Sequence, residues 1–163
     1  MTTEAPLPEP APKESIDTIS PPQSIFTPPA VESSFKLEPR ITISDNTSEV
    51  FCIQFSPDGK YLAAGCGDGA IRVFSTQNGK LAYTLEGGSN VALPTTALRF
   101  RPVTPTSRTK NVLLSANAAG TVQHWHMTSG KCLHSLVDEE NQVYALDYND
   151  EGSSFVTAGK DKC

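Results

Sequence analysis

Phe55-Ser56-Pro57-Asp58-Gly59-Lys60-Tyr61-Leu62-Ala63, followed three residues later by Gly67-Asp68-Gly69-Ala70-Ile71-Arg72-Val73-Phe74, decides how this chain folds. Short runs of alternating apolar residues are separated by Asp-Gly turns, where both residue types tolerate positive φ, and such runs read as hairpins. Upstream, Val50-Phe51-Cys52-Ile53-Gln54-Phe55 is another alternating run. Downstream, Gln77-Asn78-Gly79 turns the chain into Leu81-Ala82-Tyr83-Thr84-Leu85. Four runs joined by tight turns predict an antiparallel four-stranded meander.

The unit recurs. A shift of 93 residues lays Val50–Phe55 on Val143–Tyr148 without a gap, Gly59 on Gly152, Leu62 on Phe155, Asp68 on Asp161 and, one strand earlier, Ile43 on Leu136. A middle copy contains Ala97–Phe100, Val112–Ala116, Gly120–Trp125 and Cys132–Leu136, with Gly69 matching Gly120 and Gly79 matching Gly130 by a shift of 51. Residues Val103 to Lys110 lengthen in this copy the turn that Ser56–Gly59 makes tightly. The mean period is about 46, near the ~40–45 of one propeller blade. The expected repeats are about 43–86, 91–137 and a shortened 138–163.

These residues resemble the WD-repeat β-propeller family over about residues 40–163. The resemblance implies an all-β fold, an incomplete propeller of about two and a half four-stranded antiparallel blades. Members of the family often join a Gly-His pair, a strand Ser or Thr, a turn Asp and a strand Trp by hydrogen bonds. Here the Gly-His position reads Asp45-Asn46, Gly87-Gly88 and Asp138-Glu139. The first blade keeps the turn acid Asp68 but carries Phe74 at the Trp position. The second keeps Ser115 and Trp125 but has Ala119 at the acid, and Asp161 is the acid of the third. No blade holds the full set, so apolar packing is expected to dominate. The third copy stops at the turn before its third strand. The chain is therefore expected to be a fragment or shortened form of a parent with about seven blades, within the four to eight that close a ring. A last blade left with an unpaired edge is an aggregation liability, and the isolated chain is expected to be marginal.

Ahead of the repeats, residues 1–38 form a separate segment, with the partial propeller expected over 39–163. Nine of the 13 prolines lie between Pro6 and Pro39, and over residues 1–38 six acids face two bases, a net −4 of the chain's −5. Proline removes amide donors and biases its preceding neighbour toward extended backbone, and apolar residues are few, so a disordered acidic leader is expected. Its Pro-rich runs and Ser24-Ile25-Phe26 are candidate docking motifs. The remainder is nearly neutral, without the clustered positive footprint of nucleic-acid binding. No apolar run reaches the ~18 residues of a membrane span, and the start lacks a signal-peptide pattern. An intracellular protein is expected, cytoplasmic in preference to nuclear. Cys52, Cys66, Cys132 and Cys163 lack paired spacing and read as free thiols.

All three histidines fall in one hairpin, His124-Trp125-His126 and Cys132-Leu133-His134. A turn at Thr128-Ser129-Gly130 would set His126 opposite Cys132 and His124 opposite His134, on one sheet face. Two histidines at i and i+2 with a third across the strand are a candidate zinc set, against which stand the burial of blade faces and the lack of a nearby acid to orient the rings. No metal, cofactor or catalytic residue is assigned. Trp125 reads as core, Asp68 and Asp161 as turn acids, and Arg72, Arg99 and Arg101 as candidate partner contacts. No Gly-x-Ser-x-Gly, P-loop or dinucleotide fingerprint is present. The expected function is a non-catalytic scaffold that binds other proteins. The alternatives are a metal-binding or enzymatic propeller using the His124/His126/His134 hairpin, and a regulatory short form acting through its leader.

Overall fold

Among the described residues, alternating apolar runs closed by turn glycines become ten strands in chain order. The structure is a computed structural model that describes residues 36–87, 93–107, 109–138 and 140–162. The expectation of a disordered leader falls, for residues 1–35, outside the described residues, as does Cys163. Residues 38–163 group as one compact unit.

Strands β1 (Val50–Phe55), β2 (Tyr61–Cys66), β3 (Ile71–Ser75) and β4 (Leu81–Leu85) pair in that order as one antiparallel sheet. Strands β5 (Thr95–Phe100), β6 (Val112–Asn117), β7 (Thr121–His126) and β8 (Lys131–Val137) form a second. The third pairs β9 (Val143–Tyr148) with β10 (Phe155–Gly159). The described residues therefore form two four-stranded blades and half of a third. A single 3-10 turn, Met127–Ser129, joins β7 to β8.

The repeat seen in the sequence is a repeat of backbone geometry. Gly59 and Gly152, Gly69 and Gly120, and Gly79 and Gly130 all have φ between 64° and 81°. Gly120 shows why a side chain is excluded, since a Cβ there would fall 1.8 Å from the Asp138 carbonyl oxygen. The third blade puts Lys162, φ 66°, where the others have Gly69 and Gly120. A bulge also recurs near the start of each blade. Register slips between Val50 and Cys52, between Thr95 and Ala97, and opposite Val143 and Ala145, which leaves Phe51, Thr96 and Tyr144 as the extra residues. Such an insertion bends and twists the strand at the same point in every blade.

Blades stack face to face. Ala63, Ile71, Val73 and Leu85 of the first pack with Leu98, Phe100, Leu113, Trp125 and Met127 of the second. On the other face of the second, Ala97, Leu114, Ala116 and Val122 meet Val143 and Leu146 of the third. This two-sided cover explains why β6 is buried on both faces, with Val112 through Ala116 all buried and Ser115 the one polar side chain among them.

One alignment does not carry into structure. Leu136 lies in β8, whereas its counterpart Ile43 lies in no strand. Ile43 and Ile41 instead cover the β3–β4 turn, where a Cβ on Gly79 would meet Ile41 Cγ2 at 2.7 Å. Leu136 has β7 beside it to pair with, and residues 40–45 have no strand partner among the described residues. No helix among them is long and apolar enough to cross a membrane.

Candidate functional site

The histidine hairpin departs from its expected register. His124 does pair with His134, but Trp125 faces Cys132 and His126 faces Lys131, because the ladder slips between His124 and Trp125. The extra residue is Leu133, and the first blade has the same slip at Ala82, with Phe74 opposite Leu81 and Val73 opposite Tyr83. A one-residue slip sends side chains to the opposite face. Cys132 accordingly packs with the Trp125 cluster between the first two blades. The expectation that His124, His126, Cys132 and His134 share a face is thus overturned by a bulge that belongs to the repeat.

His126 Nδ1 lies 2.7 Å from Ser129 Oγ in the exposed turn. His124 turns toward the third blade, stacked on Tyr148 with centroids 6.0 Å apart and tilted against Phe155 at 6.2 Å and His134 at 6.3 Å. Its Nε2 hydrogen-bonds the Tyr148 hydroxyl. Burial lowers the His124 pKa, helped by His134 and the charge of Arg101, while burial pushes the Tyr148 phenol up to about 12. Both shifts favour the neutral imidazole and the protonated phenol at neutral pH. Among the described residues no cluster of three or more His, Cys, Asp or Glu side chains could hold a metal ion.

The repeat positions occupy two layers. Trp125 Nε1 donates to Ser115 Oγ at 2.9 Å inside the core. The matching positions of the first blade hold Phe74 and Ala64, also buried, so two apolar side chains stand where the second blade has a hydrogen bond. Asp68 sits at the rim, where Oδ1 accepts from the Ala70 amide at 3.2 Å and its carboxylate takes two hydrogen bonds from Arg72, at 2.6 and 3.1 Å. Hydrogen bonding to Arg72 holds its carboxyl below the usual range. Arg72 also reaches Thr47 at 3.1 Å, and Ser48 Oγ accepts the Asp68 amide at 3.1 Å. Ninety-three residues on, the Asp161 amide donates to Asn141 Oδ1 at 3.3 Å. In the second blade, where Ala119 replaces the acid, Asn117 Oδ1 accepts from the Ala119 and Thr121 amides. The amide side chain supplies the turn acceptor from two residues earlier, a substitution the spacing of acids alone does not reveal.

Of the three arginines expected to meet a partner, two are engaged within the chain. Arg72 pairs with Asp68. Arg99 links all three blades, with Nη1 donating to Gln54 Oε1 at 2.7 Å and Nε lying 3.1 Å from Asp147 Oδ1. Gln54 and Asp147 are themselves repeat equivalents. Arg101 Nε is buried with no hydrogen-bond partner among the described residues. Cys52, Cys66 and Cys132 are free thiols, and burial raises the pKa of Cys52 to about 11.

At the rim between the first two blades lies a cleft of about 240 Å³. Asp68, Arg72 and Glu86 line it from one side, and Asn117, Thr121 and Gln123 from the other. It offers both charges, amides and a hydroxyl, without a nucleophile beside a base. Such a surface presents hydrogen-bond donors and acceptors and both signs of charge.

The family described as WD domain, G-beta repeat matches residues 37–75 and 130–163. Each match includes the segment before a blade and that blade's first strands. The chain is 27% identical over 125 residues to the target of rapamycin complex subunit wat1 of Schizosaccharomyces pombe, covering 76% of this chain and 36% of that protein. It is 43% identical over 65 residues to the WD repeat-containing protein VIP3 of Arabidopsis thaliana, covering 38% of this chain and 19% of that one. A chain in a crystal structure of the mitotic checkpoint complex superposes with a TM-score of 0.58 at 20% identity, over 72% of this chain and 33% of the other. The chain thus spans about a third or less of each of these proteins.

Proposed function

We propose that the chain, which matches the WD domain, G-beta repeat family over residues 37–75 and 130–163 and is similar to WD-repeat proteins, is a non-catalytic scaffold binding another protein at the rim cleft between its first two blades. The observation that carries this reading is the composition of the cleft. Asp68, Arg72, Glu86, Asn117 and Gln123 converge from two blades, so stacking presents a composite polar surface that neither sheet has alone. The Asp68–Arg72 pair is anchored by Thr47 and Ser48, so these groups are held in place before a partner arrives. Preorganised polar groups bind with less ordering cost.

Within the same proposal the chain is part of a longer propeller. Ile53 and Phe55 are 61% and 59% exposed, whereas their equivalents Leu98 and Phe100, 45 residues on, are 5% and 7% exposed against the first blade. This contrast supports a further blade covering Ile53 and Phe55. An intracellular, cytoplasmic setting belongs to the proposal as well, supported by the thiol state of Cys52, Cys66 and Cys132.

The test is quantitative capture from cells with the full chain as bait, beside Gln123→Ala and Glu86→Ala variants. A protein retained by the wild type and lost from both variants, with thermal stability unchanged, supports the reading. Equal retention by all three contradicts it.

A further inference from the structure

The second blade departs from the first in length at one turn. Ser56–Lys60 connects β1 to β2, and Arg101–Asn111 connects β5 to β6. Ser56 begins a Ser-Pro pair but is 3% exposed, and its Oγ donates to Asp58 Oδ1 at 2.7 Å while accepting the Tyr61 amide at 3.0 Å. That hydroxyl is consumed by its own turn. The longer turn leaves its hydroxyls less buried, with Thr104 and Ser107 half-buried and Thr106 and Thr109 exposed. It carries Thr104, Thr106, Ser107 and Thr109, with Pro105 directly after Thr104. Long surface turns of this kind are where function concentrates.

The loop starts as a β-turn. The Ser107 amide donates to the Thr104 carbonyl at 3.0 Å, and the Thr104 amide donates to Ser107 Oγ at 3.0 Å. Pro105 in the next position biases Thr104 toward extended backbone. Thr104 Oγ1 lies 2.9 Å from Ser107 Oγ and 3.1 Å from Thr106 Oγ1, partners on the same short loop that move with it. Beneath it is a groove of about 650 Å³, shared by Arg101, the loop hydroxyls and, from the third blade, Glu151 and Ser153. Arg101 stands in that groove with its Nε buried and without a hydrogen-bond partner among the described residues. Its stem is wedged against the third blade, since a Cβ on Gly152 would meet Arg101 Cγ at 2.9 Å.

We propose that this loop is a phosphorylation site, with Thr104 the acceptor for a proline-directed protein kinase and Arg101 the residue that receives the phosphate. Thr104 Oγ1 attacks the γ-phosphorus of a nucleoside triphosphate, the bond to the bridging oxygen breaks, and the nucleoside diphosphate leaves. The hydroxyl proton passes to the base of the kinase. Among the four loop hydroxyls only Thr104 precedes a proline. The phosphate then carries close to two negative charges into a groove lined by the Arg101 guanidinium and the Glu151 carboxylate. Charge-assisted hydrogen bonds draw it to Arg101, and repulsion drives Glu151 away. Modification thereby acts on the seam between the second and third blades, through the arginine wedged against Gly152.

The experiment treats the full chain with a purified proline-directed kinase, ATP and magnesium, locates phosphate by fragmentation mass spectrometry, and titrates it by phosphorus NMR. The Thr27-Pro28 and Ser20-Pro21 pairs of the leader report that the kinase is working. The expected result is phosphate on Thr104 and none on Ser56. Transfer to residue 104 falls about tenfold or more in Pro105→Ala and is unchanged in Thr106→Ala. The phosphate's second pKa lies below the ~6 of a free phosphothreonine. It rises by roughly one unit in Arg101→Gln and stays low in Arg101→Lys. Labelling of Thr27 or Ser20 with Thr104 left bare overturns the site. A phosphate pKa that is the same in wild type and Arg101→Gln overturns the role of the arginine.

Discussion

The indole N–H of Trp125 donates to Ser115 Oγ at 2.9 Å, and the neighbouring blade has two buried apolar residues, Phe74 and Ala64, at the equivalent positions. One position in the fold thus accepts either a buried hydrogen bond or an apolar pair. Ser115→Ala leaves the indole donor buried without its acceptor and is expected to cost about 1–3 kcal/mol. In a Trp125→Phe background the same change removes no bond and should cost well under that. Urea unfolding of the two singles and the double measures the coupling.

Gly59 and Gly120 have φ of 68° and 77°, so any side chain meets a similar backbone penalty at both. They differ in surroundings. A Cβ at Gly59 has nothing within 4 Å, and one at Gly120 runs into the Asp138 carbonyl. Gly59→Ala should therefore cost about 1–2 kcal/mol, the left-handed penalty alone. Gly120→Ala should cost clearly more and perturb the Asp138–Asn141 turn. Thermal melts of both variants check the order.

His124 carries the pH dependence of the seam between the second and third blades. Its folded pKa lies below the ordinary 6.5, so the unfolded chain binds the proton more readily. Its contribution is complete above the unfolded value and is lost as pH falls through about 6.5 toward the folded pKa. His134 and Arg101 add to the same direction. Melting temperature should drop between pH 7 and pH 5, and His124→Gln should flatten that part of the curve. An unchanged slope in the variant would assign the pH dependence elsewhere.

Phe55 and Phe100 are repeat equivalents in opposite environments, 59% and 7% exposed. In the 163-residue chain, Phe100→Ala should cost about 3–5 kcal/mol through the cavity it opens. Phe55→Ala should cost under about 1 kcal/mol and should reduce self-association of the exposed face. Denaturant titration with light scattering reads both effects.

The strand order was legible because turn chemistry and alternation agree along the repeats. Val50–Phe55, Leu81–Leu85 and Val143–Tyr148 have the expected bounds, and the loop at 103–110 falls where the middle copy was longer. The histidine register was not legible. Cys132-Leu133-His134 alternates as cleanly as any strand, and a bulge at Leu133 leaves no mark in composition. Its trace was present only by analogy with Ala82, itself silent. Likewise Asn117 replaces a turn acid by reaching from another position, and Arg99 joins Gln54 to Asp147 across blades. Contacts of that range depend on how sheets stack, which periodicity within a strand does not encode.

The central claim is that the polar rim between the first two blades binds a protein. Hydrogen exchange on the chain with its captured partner tests it most directly. The account predicts added protection at Asp68–Arg72 and Asn117–Gln123, with the β6 core unchanged. Protection confined to the leader or to the outer faces of the first and third blades, with the rim unaltered, would contradict it.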